Sequence, residues 1–277
     1  MNSPIKKLNL RTKTLLAIVI TVFILVLVVI WAFLINSSEI TTNFSMMNQG
    51  PSLEHIFGTD WMGRDMFTRT IKGLGLSIQI GAGASILSTI IAVILGLLSS
   101  FNKHIDTFVA WLVDLFLSVP HILLIILISI GLGGGAFGVI MGVAFTHWTS
   151  LTRVLRAEIK QIQTSDYIKL SKNLGKSKFW IARKQIFPLV FTQIIVGTIL
   201  IFPHAIMHEA SVTFLGFGLS PHEPAIGIIL SESMKYLATG NWWLALFPGL
   251  SLLIIVLLFD IAGENVKRLL DPTTANE

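Results

Sequence analysis

The sequence predicts an all-α, polytopic membrane protein with six transmembrane helices, and three observations predict it. First, of 277 residues 53% are apolar and only 13% charged. An ordinary soluble domain carries about 25% charged residues, so too few remain here to cover a water-facing surface. The mean hydropathy of +0.77 agrees. Second, the apolar residues fall into six runs long enough, or nearly so, to cross about 30 Å of hydrocarbon. Third, the charge is concentrated. Arg153, Arg156, Lys160, Lys169, Lys172, Lys176, Lys178, Arg183 and Lys184 face only Glu158 and Asp166 within 153–184, a local net of +7 in a chain of net +5. A soluble globular enzyme and a disordered tail protein are excluded. With no cysteine, so are disulfides and cysteine-based metal or nucleophile sites.

The first run, 14–35, is 22 residues without a charge. Lys6, Lys7, Arg11 and Lys13 before it resemble a signal-peptide n-region. The run is too long for one, and Asn36-Ser37-Ser38-Glu39 offers no small-x-small cleavage site, so an uncleaved anchor is expected. The second run, 76–100, is rich in small residues (Gly81, Ala82, Gly83, Ala84, Ser85) that allow close helix approach within the bundle. The third, 108–130, contains Asp114 and Pro120. The fourth, 137–151, is shorter, and its helix is expected to continue through Arg153 and Arg156. The fifth is 189–207. The sixth, 242–262, contains Pro248 and Asp260. A first segment, 1–75, then holds an N-terminal tail, the first helix and an extracytoplasmic stretch. The remainder, 76–277, holds the core.

Orientation follows from the bias of Lys and Arg toward cytoplasmic loops. With the N-terminus inside, sixteen basic residues lie on the inner side, and only Arg64, Arg69, Lys72 and Lys235 lie outside. Both termini and the basic insert are expected in the cytoplasm. The two long outer segments, 36–75 and 210–241, carry apolar and aromatic residues. They are expected to be packed or partly re-entrant, since irregular backbone near a membrane needs protein or water to cover it.

Residues 158–188 read as helical, broken at Gly175 and stopped by Pro188. A glycine ends one helix in the left-handed conformation and permits a sharp turn into the next. Phe179, Trp180 and Ile181 then lie among charges, and exposed apolar residues ringed by polar ones mark a protein contact. Three readings compete. Anionic membrane lipid would be attracted to such a cluster. Nucleic acid would need a folded platform that about 30 residues do not supply. The third is a coupling helix docking on a cytoplasmic partner.

On these residues the sequence resembles the permease subunits of ABC importers. Gly175, twelve residues, then Pro188 matches their EAA loop, and the longer string resembles the dipeptide, oligopeptide and nickel branch. Gly58-Thr-Asp60-x-x-Gly63-Arg64-Asp65 resembles the motif that branch carries before its second helix. Asp114-x5-Pro120, Glu209-Ala-Ser-Val-Thr-Phe-Leu-Gly-Phe-Gly218, Ala245-Leu-Phe-Pro248-Gly and the Asp271-Pro272 ending follow in order. The likeness runs from about residue 50 to 272. Two departures stand out. The Glu-Ala-Ala that names the loop is Lys169-Leu-Ser171 here, and the residue before the final Pro is Phe187.

The resemblance implies a type I ABC importer permease-like bundle with a cytoplasmic coupling helix, in a prokaryotic cell membrane. It implies a transport subunit and not an enzyme, with no cofactor of its own. Its partners would be a second homologous permease, two cytoplasmic ATP-binding subunits and an extracytoplasmic substrate-binding protein. Tyr167, Leu170, Leu174, Gly175, Phe179 and Pro188 would carry the ATPase contact. Asp60, Gly63, Arg64 and Asp65 would be the outer family motif.

Apparent catalytic signatures fail on spacing. Gly175-Lys176-Ser177 looks like the end of a P-loop, but the glycine needed five positions earlier is Leu170. His208-Glu209 looks like the start of a zinc-protease motif, but the second histidine would stand at 212, which is Val212. No Gly-x-Ser-x-Gly elbow is present.

Ionisable residues at membrane depth are candidates for contact with cargo: Asp114, Glu209, Asp260, His121, His147, His204 and His208. Asp114 and Asp260 lie near cytoplasmic helix ends, where a cap or an ion pair explains them. His204 and His208 share one helix face, flanked by Met207 and Glu209, at positions where the family more often has small residues. Two readings stand: hydrogen-bonding histidines near the outer interface, or a transient relay through His204, His208 and Glu209 for a divalent metal, since imidazole suits nickel. The cargo is therefore read first as nickel or a nickel chelate, with dipeptides, oligopeptides or another metallophore as the alternative. A stand-alone secondary transporter would need internal inverted repeats, and no convincing repeat is visible. A membrane-anchored interaction scaffold is the remaining class.

Overall fold

The computed structural model describes residues 10–36 and 40–270. Lys6 and Lys7, Ser37–Glu39 of the cleavage-site argument and the Asp271-Pro272 ending lie outside the described residues. The chain runs through α1 (Leu10–Leu34), α2 (Met66–Ser99), α3 (Lys103–Leu117), α4 (His121–Gly131), α5 (Gly135–Gln163), α6 (Asp166–Asn173), α7 (Lys178–Ile181), α8 (Phe187–Phe214), α9 (Ile226–Met234) and α10 (Trp243–Leu270). A π-helical turn, Ala182–Ile186, joins α7 to α8. Among the described residues there is no strand, only an isolated bridge between Thr59 and Asp65.

Each of the six apolar runs lies on helix, apart from a break at 118–120 within the third, but six clean spans do not result. By length and apolarity four helical stretches are able to cross a membrane: Thr14–Leu34, Met66–Ser99, Lys178–Phe214 and Trp243–Leu270. A fifth results if α3 and α4 count as one span bent by 95°. The bend sits at Pro120, whose ring forces the preceding residue out of the helical region. The helix that falls short is α5, which is 29 residues long but not apolar enough. It packs on α2, α4 and α8, so its middle meets protein rather than lipid and tolerates Gly138, Gly142, Thr146, Thr149 and Thr152. The threonines satisfy themselves on their own helix. Thr152 donates to the Trp148 carbonyl at 2.8 Å, as such residues do within helices. The expected continuation of this helix through Arg153 and Arg156 is present.

The helices pack through small residues, as expected where lipid removes the hydrophobic drive between helices. A Cβ on Gly81 would stand 2.6 Å from Ile206 of α8, so the small residues of α2 serve the bundle itself. Trp148, Leu155, Ile159, Ile168, Ile186 and Val190 form a buried cluster at the end holding the basic insert. Met66, Ile206, Ile226, Ile229 and Leu244 form another at the opposite end. There α9, nine residues long and too short to span, is wedged against α8, α10 and α2, so the second of the two segments expected outside is packed.

Two local expectations are overturned. Ile181, expected with Phe179 and Trp180 among the exposed apolar residues of the insert, is 3% exposed and packs in the cluster around Trp148. Pro188 does not stop a helix; it is the second residue of α8, and helix continues from Lys178 to Phe214. A proline has no N–H and its ring clashes with the carbonyl four residues back. The π-helical turn just before it widens the helix, with the Phe187 N–H donating to the Ala182 carbonyl.

Candidate functional site

Three features concentrate the polar chemistry of the chain: the basic insert at one end, a buried ion network at the other, and a group of histidines between them.

In the insert, α6 is two-faced. Ile168 is fully buried and Ser171 nearly so, against the cluster that holds α5 and α8. Gln185 of the π-helical turn donates to the Ser171 hydroxyl at 2.7 Å and ties the insert to α8. The other face carries Tyr167, Leu170 and Leu174, 45%, 59% and 69% exposed. At spacings of three and four they share one stripe. Gly175 then turns the chain at φ +74°. The N–H of Lys176 returns to the Ser171 carbonyl at 3.1 Å and that of Gly175 to the Lys172 carbonyl at 3.0 Å, a glycine-terminated helix end. Ser177 caps α7, accepting from the Trp180 N–H. Phe179 is exposed beside the stripe, and the Lys176 ammonium stands 5.0 Å from the Trp180 ring. Of the residues expected to dock, Tyr167, Leu170, Leu174 and Phe179 thus lie on the surface around one turn. Pro188 is exposed too, but it belongs to the root of α8.

At the opposite end Asp60 is fully buried. Its Oδ1 accepts from the backbone N–H groups of Met62 at 2.8 Å and Arg64 at 2.9 Å. Its Oδ2 accepts from Arg64 Nε and Arg69 Nη1, both at 2.7 Å. Arg69 continues to Glu232 on α9 at 2.9 Å. Trp61 stacks on Tyr236 at 4.7 Å, with both guanidinium groups over its ring. Asp65 caps α2, accepting from the Thr68 N–H at 2.8 Å, and pairs with His55 at 2.9 Å. Gly63 has φ +71°, and a Cβ there would collide with the Asn43 carbonyl. Asp60, Gly63, Arg64 and Asp65 therefore build a brace between the segment before α2, α2 itself and α9. Glu232 and Tyr236 were not foreseen: Glu232 lies 163 residues from Arg69, and no spacing in the sequence points across that gap.

In the middle, His121 opens α4, His147 lies on α5 and His208 on α8. The His121 and His147 rings are 5.5 Å apart, and those of His147 and His208 4.9 Å. His204, exposed, stands one turn before His208. Glu209 does not join them. It is fully buried, with Oε1 accepting from Thr213 at 3.0 Å. Among the described residues no group of three or more His, Asp or Glu side chains is placed to hold a metal ion. Asp114 forms an exposed ion pair with Arg153 at 3.1 Å, and Asp106 of α3 holds Arg156 and Lys160 of α5.

Comparison with known proteins adds three findings. Residues 88–274 match the family described as binding-protein-dependent transport system inner membrane component. Over 268 residues the chain is 30% identical to the dipeptide transport system permease protein DppC of Bacillus subtilis, covering 96% of this chain and 84% of the relative. It is 35% identical to the DppC of Alkalihalophilus pseudofirmus over 256 residues (92% and 84%). It is 31% identical to the oligopeptide transport system permease protein OppC of Bacillus subtilis over 255 residues (91% and 83%). In fold it is similar to an inward-facing crystal structure of the MetNI methionine ABC transporter, with a TM-score of 0.61 at 18% identity, covering 74% of this chain and 98% of that one.

Proposed function

From the premise that this chain belongs to the inner membrane components of binding-protein-dependent transport systems, we propose that it is a permease subunit whose ABC importer carries dipeptides or oligopeptides. The observation that carries the mechanism is the two-faced α6. One side is rooted in the bundle core, and the other offers Tyr167, Leu170 and Leu174 to a partner. Burying such a stripe is favourable by about 25 cal/mol per Å² of apolar surface. In this reading a cytoplasmic ATP-binding subunit grips Tyr167, Leu170, Leu174 and Phe179, and a second one grips the equivalent helix of a homologous second permease. Gly175 sets the angle of the grip. Closure of the ATPases pushes on α6 and α7, and the unbroken helix from Lys178 to Phe214 carries that push into the membrane. The insert, both termini and the bound ATPases then lie in the cytoplasm, where the basic residues also meet anionic lipid. The braced end at Asp60 faces outward, toward a substrate-binding protein.

Peptides replace nickel as the first reading of the cargo. The relatives named above are dipeptide and oligopeptide permeases by name, and the histidines and Glu209 do not converge on one ion. The test is uptake of a labelled dipeptide and of nickel by a strain lacking the gene. Peptide uptake falls and nickel content stays level if the reading holds; the reverse result overturns it. Deleting residues 169–180 should also release the ATP-binding subunit on purification, and its retention would refute the coupling role.

A further inference from the structure

The histidines remain unexplained by this scheme. His121, His147 and His208 come from three helices, α4, α5 and α8, and their rings form a chain with spacings of 5.5 and 4.9 Å. No Lys, Arg, Asp or Glu occurs in 121–131, in 135–152 or in the stretch of α2 from 73 to 99. The one charged residue on α8 is Glu209, whose carboxylate is turned into the core toward Thr213. The group is thus a patch of imidazole in an otherwise uncharged wall.

That patch is open to the outside of the chain. His204 and Met207 on the same face of α8 are exposed, and His208 is half-buried. Hydrocarbon cannot satisfy imidazole nitrogens, and polar groups at membrane depth turn toward a bundle interior or a water-filled cavity. Such a face suits the wall of a water-filled passage better than contact with lipid.

The nitrogens also have a polarity. His147 Nδ1 lies 3.1 Å from the Val143 carbonyl. The Thr146 hydroxyl stands 3.0 Å from the same Nδ1 but is placed to donate to the Gly142 and Val143 carbonyls. Facing a carbonyl, which only accepts, Nδ1 is favoured as the protonated nitrogen, and Nε2 of the neutral ring then presents a lone pair. Nδ1 of His121 is buried without a hydrogen-bond partner, an acceptor left open when the proton sits on Nε2. The site accepts hydrogen bonds, has no cation of its own, and does not gather three ligands on one metal ion.

We propose that His121, His147 and His208 form a cargo-contact site in the pathway wall that takes the N-terminal ammonium of the transported peptide. An ammonium offers three N–H donors to the in-plane lone pairs of imidazole nitrogens. Lone-pair acceptors of this kind hold cargo without the strength of a carboxylate pair, as a passage that must also release it requires. The inference rests on the peptide-import reading.

The test uses the whole complex in proteoliposomes with its binding protein. Uptake of Ala-Ala is compared with uptake of its N-methylated analogue, which has one N–H donor fewer. The ratio is divided by the preference of the isolated binding protein for the same two peptides. The wild type should prefer the unmethylated peptide by about fivefold after that correction, the factor one hydrogen bond commonly carries. His147→Phe and His208→Phe keep an aromatic ring and lose the lone pair, and should bring the ratio to about one. His208→Asn, which keeps an acceptor, should retain part of the preference. His104→Phe, on the exposed start of α3, should leave it unchanged. A wild type that imports both peptides without preference overturns the site alone, by a measurement that needs no variant. So does an unchanged preference in the phenylalanine variants, or a loss of nickel or zinc uptake in them with the peptide preference intact. Import of neither peptide by the wild type overturns the import reading itself, and the site with it.

Discussion

Replacing Asp60 by alanine removes four hydrogen bonds at once: two from backbone N–H groups, one from Arg64 and one from Arg69. The loss leaves the Arg69 guanidinium, whose side chain is 5% exposed, with Glu232 as its remaining carboxylate. Breaking a buried pair by removing one partner costs about 3–5 kcal/mol, because the other charge stays buried and uncompensated. At about 2–4 °C per kcal/mol for a chain of this size, the melting temperature should fall by about 10 °C. Asp60→Asn should do nearly as badly. Its oxygen still accepts from the backbone, but its amide then points donors at guanidinium donors. The control is Asp114→Asn, which removes a pair with Arg153 whose side chains are 72% and 59% exposed. An exposed pair is worth at most about 1 kcal/mol, so the shift there should be within about 3 °C. The assay is thermal melting followed by tryptophan fluorescence, to which Trp61 against Tyr236 contributes a local signal. A cycle through Arg69→Ala and the double variant should give markedly less than the sum of the single losses. Equal melting shifts for Asp60→Ala and Asp114→Asn would refute the argument that burial makes this network the structural joint of its end of the bundle.

Two further predictions concern the opposite end. Leu170→Asp combined with Leu174→Asp changes only exposed side chains, so the permease should melt as before, within about 1 kcal/mol. The ATP-binding subunit should no longer co-purify; retained co-purification would show that α6 docks nothing. Gly175→Val places a β-branched residue at φ +74°, a conformation costing an L-residue roughly 1–2 kcal/mol. It should lower transport per ATP hydrolysed, because the angle between α6 and α7 shifts while the permease still folds; an unchanged ratio would count against Gly175 as the setting of that angle.

How far the sequence could be read depended on whether the signal was local. The helices were legible because the apolar runs are long and nearly free of charge, and each run lies on helix apart from the break at 118–120. Their number of clean spans was not, for two reasons rooted in packing. In α5, Gly138 and Gly142 lie against α4, where added Cβ atoms would stand 2.7 Å and 2.8 Å from the Ser129 and Ile125 carbonyls. Residues chosen for that approach lower the hydropathy that marks a span. In the third run, Pro120 was visible, but its 95° consequence depends on where α4 finds its groove. Pro188 misled in the opposite direction. A proline usually ends a helix, and here a widened turn ahead of it absorbs the missing bond.

The same division runs through the sites. The stripe Tyr167, Leu170, Leu174 is a helical spacing within eight residues, so it could be found without a structure. The outer motif could be located but not explained, since the partner that makes Asp60 and Arg69 a brace is Glu232 on another helix. The histidines show the limit most clearly. His204 and His208 attracted notice because they are one turn apart, yet the ring contacts join His208 to His147 and His147 to His121, residues 61 and 26 positions apart. Adjacent sequence suggested Glu209 as their companion, but consecutive residues of a helix point about 100° apart, which sends Glu209 into the core. A site assembled from three helices is set by which faces meet, and here the faces met through the small residues that let α4, α5 and α8 approach.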